Sequence, residues 1–466
     1  MKLSLLSLVL ALVGCEAPNP EIAHMQKAND LYREGRFDAA EAMYRLVLYE
    51  APDNADAACN LGSVLQDMNR RDEAIESYRA ALAIKPTHAD AHYNLGVMYQ
   101  DEKRNEESLQ SYLRTLEVEP GHLEALANIG SIYQAQEQYY DAEERYRIAI
   151  ATITLADTIP EAQATEMLST LYYSMGIVLD YIAEDEEICP TGETCKIAIE
   201  KAFENSLKYN PDNVLAQHNL AAVQGDESLT GATREYVTTL FDDYASTFDE
   251  SLAELRYQAP DALSGALKKV LVNKRRIKGA HVVSDPETQK EERPVRIFFD
   301  AGCGTGLLGP LVRNFTETLI GVDLSEKMVA VAHERNIYDE LLVGDIEETL
   351  LELQGRPIDV VAAADVFVYF GDMSGIFEKA AMVLSPGGIF TFTTEELLPS
   401  SNIGDGANKG ASDYLIQNSG RFAHRKEYLE ALANTNGFSV EFYERFVPRL
   451  EYGWPIDGQL FVFLKK

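Results

Sequence analysis

Two rhythms of apolar and polar positions divide this chain. Before residue 225 the pattern repeats every 34 residues: Gly62, Gly96 and Gly130 recur at that interval, as do Tyr44, Tyr78, Tyr112 and Tyr146. Pro52, Pro86 and Pro120 each stand just past a helical pattern and close a unit. Small residues where two helices cross, with an aromatic on the second helix, predict helix pairs over 21–54, 55–88, 89–122 and 123–156. A fifth pair is split, with helices expected over Leu168–Tyr181 and Ile197–Asn210, and Val214–Val223 reads as a half unit or capping helix. Beyond residue 295 the rhythm changes. Short apolar runs (Ile297–Phe299, Thr318–Val322, Leu341–Val343, Asp359–Val366, Ile389–Thr394) alternate with amphipathic stretches at Leu307–Phe315, Glu326–Arg335, Gly375–Leu384 and Lys426–Thr435. Strands alternating with helices predict an α/β domain with a mostly parallel sheet behind the all-α array.

The first of these runs carries the strongest chemical signal. Phe298-Phe299-Asp300 leads into Ala301-Gly302-Cys303-Gly304-Thr305-Gly306, three glycines at two-residue spacing between a buried strand and a helix start. Such a turn lets backbone approach a ligand closely. An acid about 20 residues past a glycine turn, here Asp323 at the end of the next strand, is where a Rossmann-like site holds ribose hydroxyls. A dinucleotide turn of the G-x-G-x-x-G kind would place Leu307, not Gly306, as its third glycine. The pattern D-x-G-x-G-x-G resembles motif I of the class I S-adenosylmethionine-dependent methyltransferases. Leu341-Leu342-Val343-Gly344-Asp345, Asp365 at the end of the fourth strand, and Leu384-Ser385-Pro386-Gly387-Gly388 before the fifth agree with that resemblance. It implies a Rossmann-like, mostly parallel seven-stranded sheet and S-adenosylmethionine as cofactor. It also implies a cofactor site at Asp300, Gly302, Gly304, Gly306, Asp323, Leu324, Asp345, Ile346, Asp365 and Tyr244.

The 34-residue units resemble tetratricopeptide repeats, which stack into a solenoid with a concave groove. Asn60, Asn94 and Asn128 precede the Leu/Ile-Gly pair in successive units, and Asn219 takes the same place in the last. A side-chain amide both donates and accepts, so a row of them can hold an extended peptide backbone. The spacing is similar to the asparagine ladder of the O-linked N-acetylglucosamine transferases and implies a protein or peptide partner in the groove. The alternative is that each asparagine bonds a neighbouring helix. The clustered Lys and Arg of a carboxylate clamp are not evident.

Between the two rhythms, Thr233 to Leu263 places Tyr236, Phe241, Tyr244 and Phe248 among acids on a helical period. Its Phe-Asp-Asp-Tyr-Ala-Ser-Thr-Phe-Asp segment is similar to the lid of a bacterial family of predicted methyltransferases carrying tetratricopeptide repeats. The similarity extends to Ser419–His424 and Pro455–Val462, and so covers nearly all of 21–466. The split fifth repeat and the insertion Asn273–Arg296 depart from it. The domains expected are a signal-like segment over 1–17, a repeat domain over 21–224 and a methyltransferase domain over 225–466. Methyl transfer needs a nucleophile in line with the methyl carbon and water excluded. Oxygen or amine nucleophiles can also need a base, for which His424, Tyr369 and Asp372 are candidates. Against these roles stand a cap for His424 or Asp372 and a pocket wall for Tyr369. The leading reading is a methyltransferase whose repeats recruit a protein or peptide. The rivals are a small-molecule methyltransferase with repeats for assembly, and a scaffold with a silent fold.

Charge and cysteines narrow this further. The formal net charge of −34 over 466 residues argues against a nucleic-acid substrate, which it would repel. The basic run Lys274-Arg275-Arg276-Ile277-Lys278 reads as a solvated loop, with a localisation tag or a local RNA contact as the alternatives. Five cysteines show no metal-ligand spacing, and no metal is expected. Cys189 and Cys195 flank a turn that could close as a disulfide in an oxidising compartment or stay reduced, while Cys59 and Cys303 read as packing residues. Leu3–Val13 after Met1-Lys2 resembles a secretory signal, too short to span a membrane, and Leu12-Val13-Gly14-Cys15 resembles a bacterial lipobox. A cytoplasmic chain with an apolar N-terminal helix is the alternative.

Overall fold

A computed structural model describes residues 20–156, 159–184, 188–190, 192–277, 295–398, 412–451 and 453–466. The 1–17 segment and most of the Asn273–Arg296 insertion lie outside these residues, while 274–277 of the basic run, expected as a loop, form the end of the helix Ala259–Ile277. By contacts the chain divides into Met1–Asn210 and Pro211–Lys466, so the helix Val214–Gln224 groups with the sheet and not with the repeats.

In the first unit the helices pair as the period predicts: Pro20–Arg33 with Phe37–Glu50, Ala55–Asp67 with Arg71–Ile84, Ala89–Asp101 with Asn105–Val118, and Leu123–Ala135 with Tyr139–Leu155. The recurring glycine and tyrosine meet. A Cβ on Gly62, Gly96 or Gly130 would come within 2.6, 2.6 and 2.5 Å of the ring of Tyr78, Tyr112 and Tyr146. Each hydroxyl then donates to the side chain of Gln66, Gln100 or Gln134, at 2.9, 2.8 and 3.1 Å, so the buried ring leaves no unmet polar group. Side chains at Asn54, His88 and His122 accept from the third residue beyond and start the first helix of the next unit. The fifth pair, Glu161–Ala183 and Cys195–Tyr209, repeats the device with Gly176 against Phe203. Its inserted loop is closed by a Cys189–Cys195 disulfide.

The second unit holds strands β1 (Val295–Ala301), β2 (Thr316–Asp323), β3 (Glu340–Val343), β4 (Ile358–Ala363) and β5 (Leu384–Glu396). There follow β6 (Tyr414–Ile416), β7 (Phe422–His424), β8 (Phe438–Phe446), β9 (Leu450–Glu451), β10 (Trp454–Pro455) and β11 (Gly458–Lys465). The main path runs β3-β2-β1-β4-β5-β11-β8, parallel from β3 to β5 and antiparallel around β11, with the β6–β7 hairpin attached at the end of β5. This is the expected seven-strand path with a hairpin added. Successive side chains point to opposite faces: Phe298 packs with Leu263, Leu267 and Val462, and Phe299 with Phe367, Phe390 and Phe461. Both faces are covered by helices, which is why the strands read as continuous apolar runs.

Two elements differ from expectation. After the glycine turn the helix is a single turn, Gly309–Val312, followed by a 3-10 turn at Arg313–Phe315, not an amphipathic helix over Leu307–Phe315. The fourth strand stops at Ala363, because Asp365 takes a left-handed backbone with φ of 61°.

Candidate active site

Chain order reverses at β1, whose neighbours are β2 and β4, and the carboxyl ends of these strands carry the glycine turn, Asp323 and Asp365. Gly302, at φ of 71°, admits no side chain: a Cβ there would lie 2.6 Å from Val366. At Gly304 (φ 52°) the space is open except for the ring of Phe248, 3.8 Å from such a Cβ. Here the left-handed backbone leaves an uncovered peptide edge. Gly306 packs on Tyr338.

The acids divide by what holds them. Asp300 is 1% exposed, takes the Tyr338 hydroxyl at 2.5 Å, and burial pushes its carboxyl up to about 7. It braces the turn from behind. Asp323 accepts the Gly304 N–H on Oδ2 at 2.9 Å and the Ser325 N–H on Oδ1 at 3.0 Å. Burial raises its carboxyl and those backbone bonds oppose the rise. Each oxygen keeps lone-pair capacity, so two further donors can be accepted together. Asp345 caps the helix Ile346–Glu352 through Oδ1, to the N–H groups of Glu347 and Glu348, and its Oδ2 lies 3.4 Å from Arg234 Nε. Leu324 is half-buried, whereas the Ile346 side chain lies in the core and leaves only backbone for a ligand.

Helices Arg234–Tyr244 and Phe248–Glu254 are fastened to this turn by residues that sequence reasoning missed. The Ser325 hydroxyl donates to Asp242, and the Thr305 hydroxyl to Asp249, both at 2.5 Å. Arg335 bonds Asp249 and the Thr305 carbonyl, and Arg234 bonds Glu348 at 2.7 Å. Tyr244, expected at the cofactor, is 50% exposed, and Phe248 is the ring that approaches Gly304. The signal was present: the Phe-Asp pair is repeated, Phe241-Asp242 and Phe248-Asp249, and the turn between the two helices brings the two rings to 5.8 Å of one another.

On the far side, Arg449 is 3% exposed and reaches Asp365 Oδ2 at 2.6 Å, Glu451 Oε1 at 2.7 Å, and Glu395. Arg421 bonds Glu395 at 3.0 Å and pairs with Glu451. Although burial acts to lower it, these carboxylates keep the Arg449 guanidinium above its ordinary value. Burial raises the Tyr369 phenol, the nearby arginines oppose this, and Phe241 packs edge-on against its ring at 5.4 Å; it forms a wall. His424 is no base in this arrangement. It is wholly buried, its Nδ1 pairs with the Thr394 hydroxyl at 2.9 Å and its Nε2 with the Gly371 carbonyl at 3.1 Å. Burial lowers its pKa to about 4. Asp372 is a cap, accepting from Ser374 N–H and Tyr428 hydroxyl at 2.8 and 3.0 Å.

The asparagines fare differently from one another. Asn60 Nδ2 donates to Asn29 at 3.3 Å and Asn94 Nδ2 to Ser63 at 3.5 Å, and Asn128 lies near the hydroxyls of Tyr93 and Tyr112. All three are half-buried within the stack. Asn219 belongs to the second unit, where its Oδ1 would lie 3.4 Å from a Cβ on Gly420 of the β6–β7 turn. That packing places it outside a repeat groove.

Comparison with known proteins agrees with this layout. The description "Methyltransferase domain" matches residues 299–392, and tetratricopeptide repeat descriptions match 25–65, 67–103 and 89–122. The chain is a tetratricopeptide-repeat protein with a methyltransferase domain. The domain is of the S-adenosylmethionine-dependent kind. It is 30% identical to the malonyl-[acyl-carrier protein] O-methyltransferase of Yersinia pestis over 21% of this chain and 36% of that protein. To the ubiquinone biosynthesis O-methyltransferase of Chelativorans it is 30% identical over 25% of this chain and 46% of that one. The chain thus spans less than half the length of these curated relatives. Among solved structures, Pseudomonas aeruginosa pilF is similar at 20% identity and a TM-score of 0.37, covering 50% of this chain and 97% of its own. Among the described residues no helix is long and apolar enough to cross a membrane.

Proposed function

We infer that the protein transfers a methyl group from S-adenosylmethionine to an acceptor, and that its repeats recruit that acceptor as a protein or peptide. The observation that carries the donor half is Asp323: a carboxylate anchored by two backbone N–H groups, with lone pairs left for two vicinal hydroxyls. The residues fit the donor. The Gly302–Gly306 turn offers backbone, Asp323 would take the ribose hydroxyls, and Asp345 with the Leu324 and Ile346 backbone would hold the base. The bound donor supplies an electrophilic methyl on a sulfonium that loses its charge on transfer. The protein's part is to orient and to exclude water, which the Asp242–Ser325 and Asp249–Thr305 bonds serve by fastening a helix pair over the turn.

Recruitment of a peptide rests on the half-buried amides of Asn60, Asn94 and Asn128. The bonds of Asn60 and Asn94 within the stack favour a second reading, in which the repeats serve assembly and the acceptor is small, as the names of the curated relatives indicate for those enzymes. The Cys189–Cys195 disulfide supports an oxidising compartment. Calorimetry with S-adenosylmethionine tests the enzyme reading: binding is expected in the micromolar range, and none at millimolar donor leaves a scaffold. Labelled donor incubated with cell extract, then separated into protein and small-molecule fractions, decides between the acceptors.

A further inference from the structure

Asp365 differs from the other acids expected at the donor, because a buried arginine holds one of its oxygens and leaves the other unmet. Its Oδ2 belongs to Arg449, and its Oδ1 is buried with no hydrogen-bond partner among the described residues. A buried carboxylate oxygen without a donor is unfavourable, and native structures seldom leave one unless a ligand completes it. The residue also keeps a left-handed backbone that a side chain with a Cβ disfavours, a form of strain found at functional sites. Its position is specific. The next residue, Val366, packs on Gly302 of the donor turn, and the hydroxyl of Tyr257 bonds the carbonyl of the preceding residue, Ala364, at 3.2 Å. Among the described residues Asp365, Glu395 and Glu451 face Arg421 and Arg449, three carboxylates against two guanidinium groups.

We propose that Asp365 recognises the methyl acceptor: Oδ1 accepts a hydrogen bond from an N–H or O–H of the acceptor, and Arg449 is the positioning residue that aims it. The acceptor is therefore a hydrogen-bond donor such as an amine, imidazole or alcohol, and not a carboxylate. An anionic acceptor would bring a further negative charge against buried carboxylates at short range. This rests on the methyltransferase reading and moves Asp365 from the donor half of the site to the acceptor half.

The test uses the full chain with S-adenosylmethionine and cell extract as probes. Alkali distinguishes the products, since methyl esters of carboxylates release methanol and N-methyl or ether products do not. Alkali-stable label is expected, and label lost as methanol overturns the proposal. Asp365→Asn, which keeps the side-chain shape, is expected to bind the donor within twofold of the parent. It should lower kcat/KM at least tenfold on the alkali-stable fraction. Arg449→Lys should raise KM for that fraction with the donor Kd unchanged, an effect that general loosening of the fold would not confine to the acceptor. A tenfold weaker donor Kd in Asp365→Asn returns the residue to the donor and overturns the assignment, as does unchanged kcat/KM. A parent that binds no donor overturns the methyltransferase reading itself and this proposal with it, a result distinct from the other two.

Discussion

Glycine does opposite work in the two halves of this molecule. In the repeats Gly62, Gly96, Gly130 and Gly176 are helical, and each is there because an aromatic ring occupies the space of its Cβ. In the transferase turn Gly304 is left-handed and nearly open, with only Phe248 at the edge of contact. The first kind of glycine is defined by what touches it, the second by what leaves it uncovered. Stability should therefore concentrate in the first and ligand binding in the second.

Substitution at the two kinds of glycine breaks or confirms that contrast most forcefully. Gly130→Val would drive methyl groups into the Tyr146 ring, so unfolding of the repeat unit is expected to become easier by about 3 kcal/mol, with donor affinity unaffected. Denaturant melts followed by far-ultraviolet dichroism measure the loss, and a change below 0.5 kcal/mol would show that the ring contact carries no strain. A comparable stability effect in the transferase unit comes from protonation. His424 has its folded pKa depressed to about 4 against about 6.5 unfolded. Between these values the unfolded chain binds more protons, so stability falls as pH drops from 6.5 to 4, by up to about 3 kcal/mol. Asp300, raised to about 7 in the fold, acts in the opposite sense over the same window in both proteins, so melts read the His424 contribution as a difference. On going from pH 7 to pH 4.5 the parent should lose more stability, or gain less, than His424→Gln. Equal changes in the two would mean that the imidazole is not the group responsible.

Ligand effects sharpen the other side. Asp323→Ala should weaken the donor by about 1.5–3 kcal/mol, the contribution of hydrogen bonds to a charged group. The protein should stay folded at a lower melting temperature, since the Gly304 and Ser325 N–H groups lose their acceptor. Titration calorimetry that finds equal Kd values would remove the ribose assignment. Smallest is the joint change Asn94→Ala with Asn128→Ala. At about 1 kcal/mol for each amide contact, KM for a peptide acceptor should rise roughly tenfold or more, at constant donor affinity. Steady-state kinetics that show no rise would leave these amides as internal groups of the stack.

Much of the architecture could be read directly from the chain. The 34-residue recurrence located four helix pairs, since each repeat must meet its neighbour in the same way. The alternation of apolar runs and amphipathic stretches located β1 to β5, and the glycine turn with Asp323 marked the donor half. What escaped were partners distant in sequence. Arg335 and Asp249 are 86 residues apart, and Arg449 and Asp365 are 84 apart. No local period records such pairs. His424 was misjudged for the same reason: a histidine at a strand end looks available until Thr394 and the Gly371 carbonyl close on both of its nitrogens. Asn219 matched the ladder by spacing, yet its surroundings belong to the β6–β7 turn.

The sequence by itself determined the elements and their order, because apolar periodicity and backbone restrictions act over a few residues. It also determined which backbone could approach a donor, since a three-glycine turn after a buried strand has few other uses. Only the tertiary structure decided which charged groups meet, and therefore which ionisable side chains are free for a ligand. Charge pairing depends on distances across the sheet ends, where Asp365, Glu395, Arg421 and Arg449 arrive from four separate segments. In a buried setting such pairs neutralise one another, and the residue type alone cannot tell a held carboxylate from a waiting one.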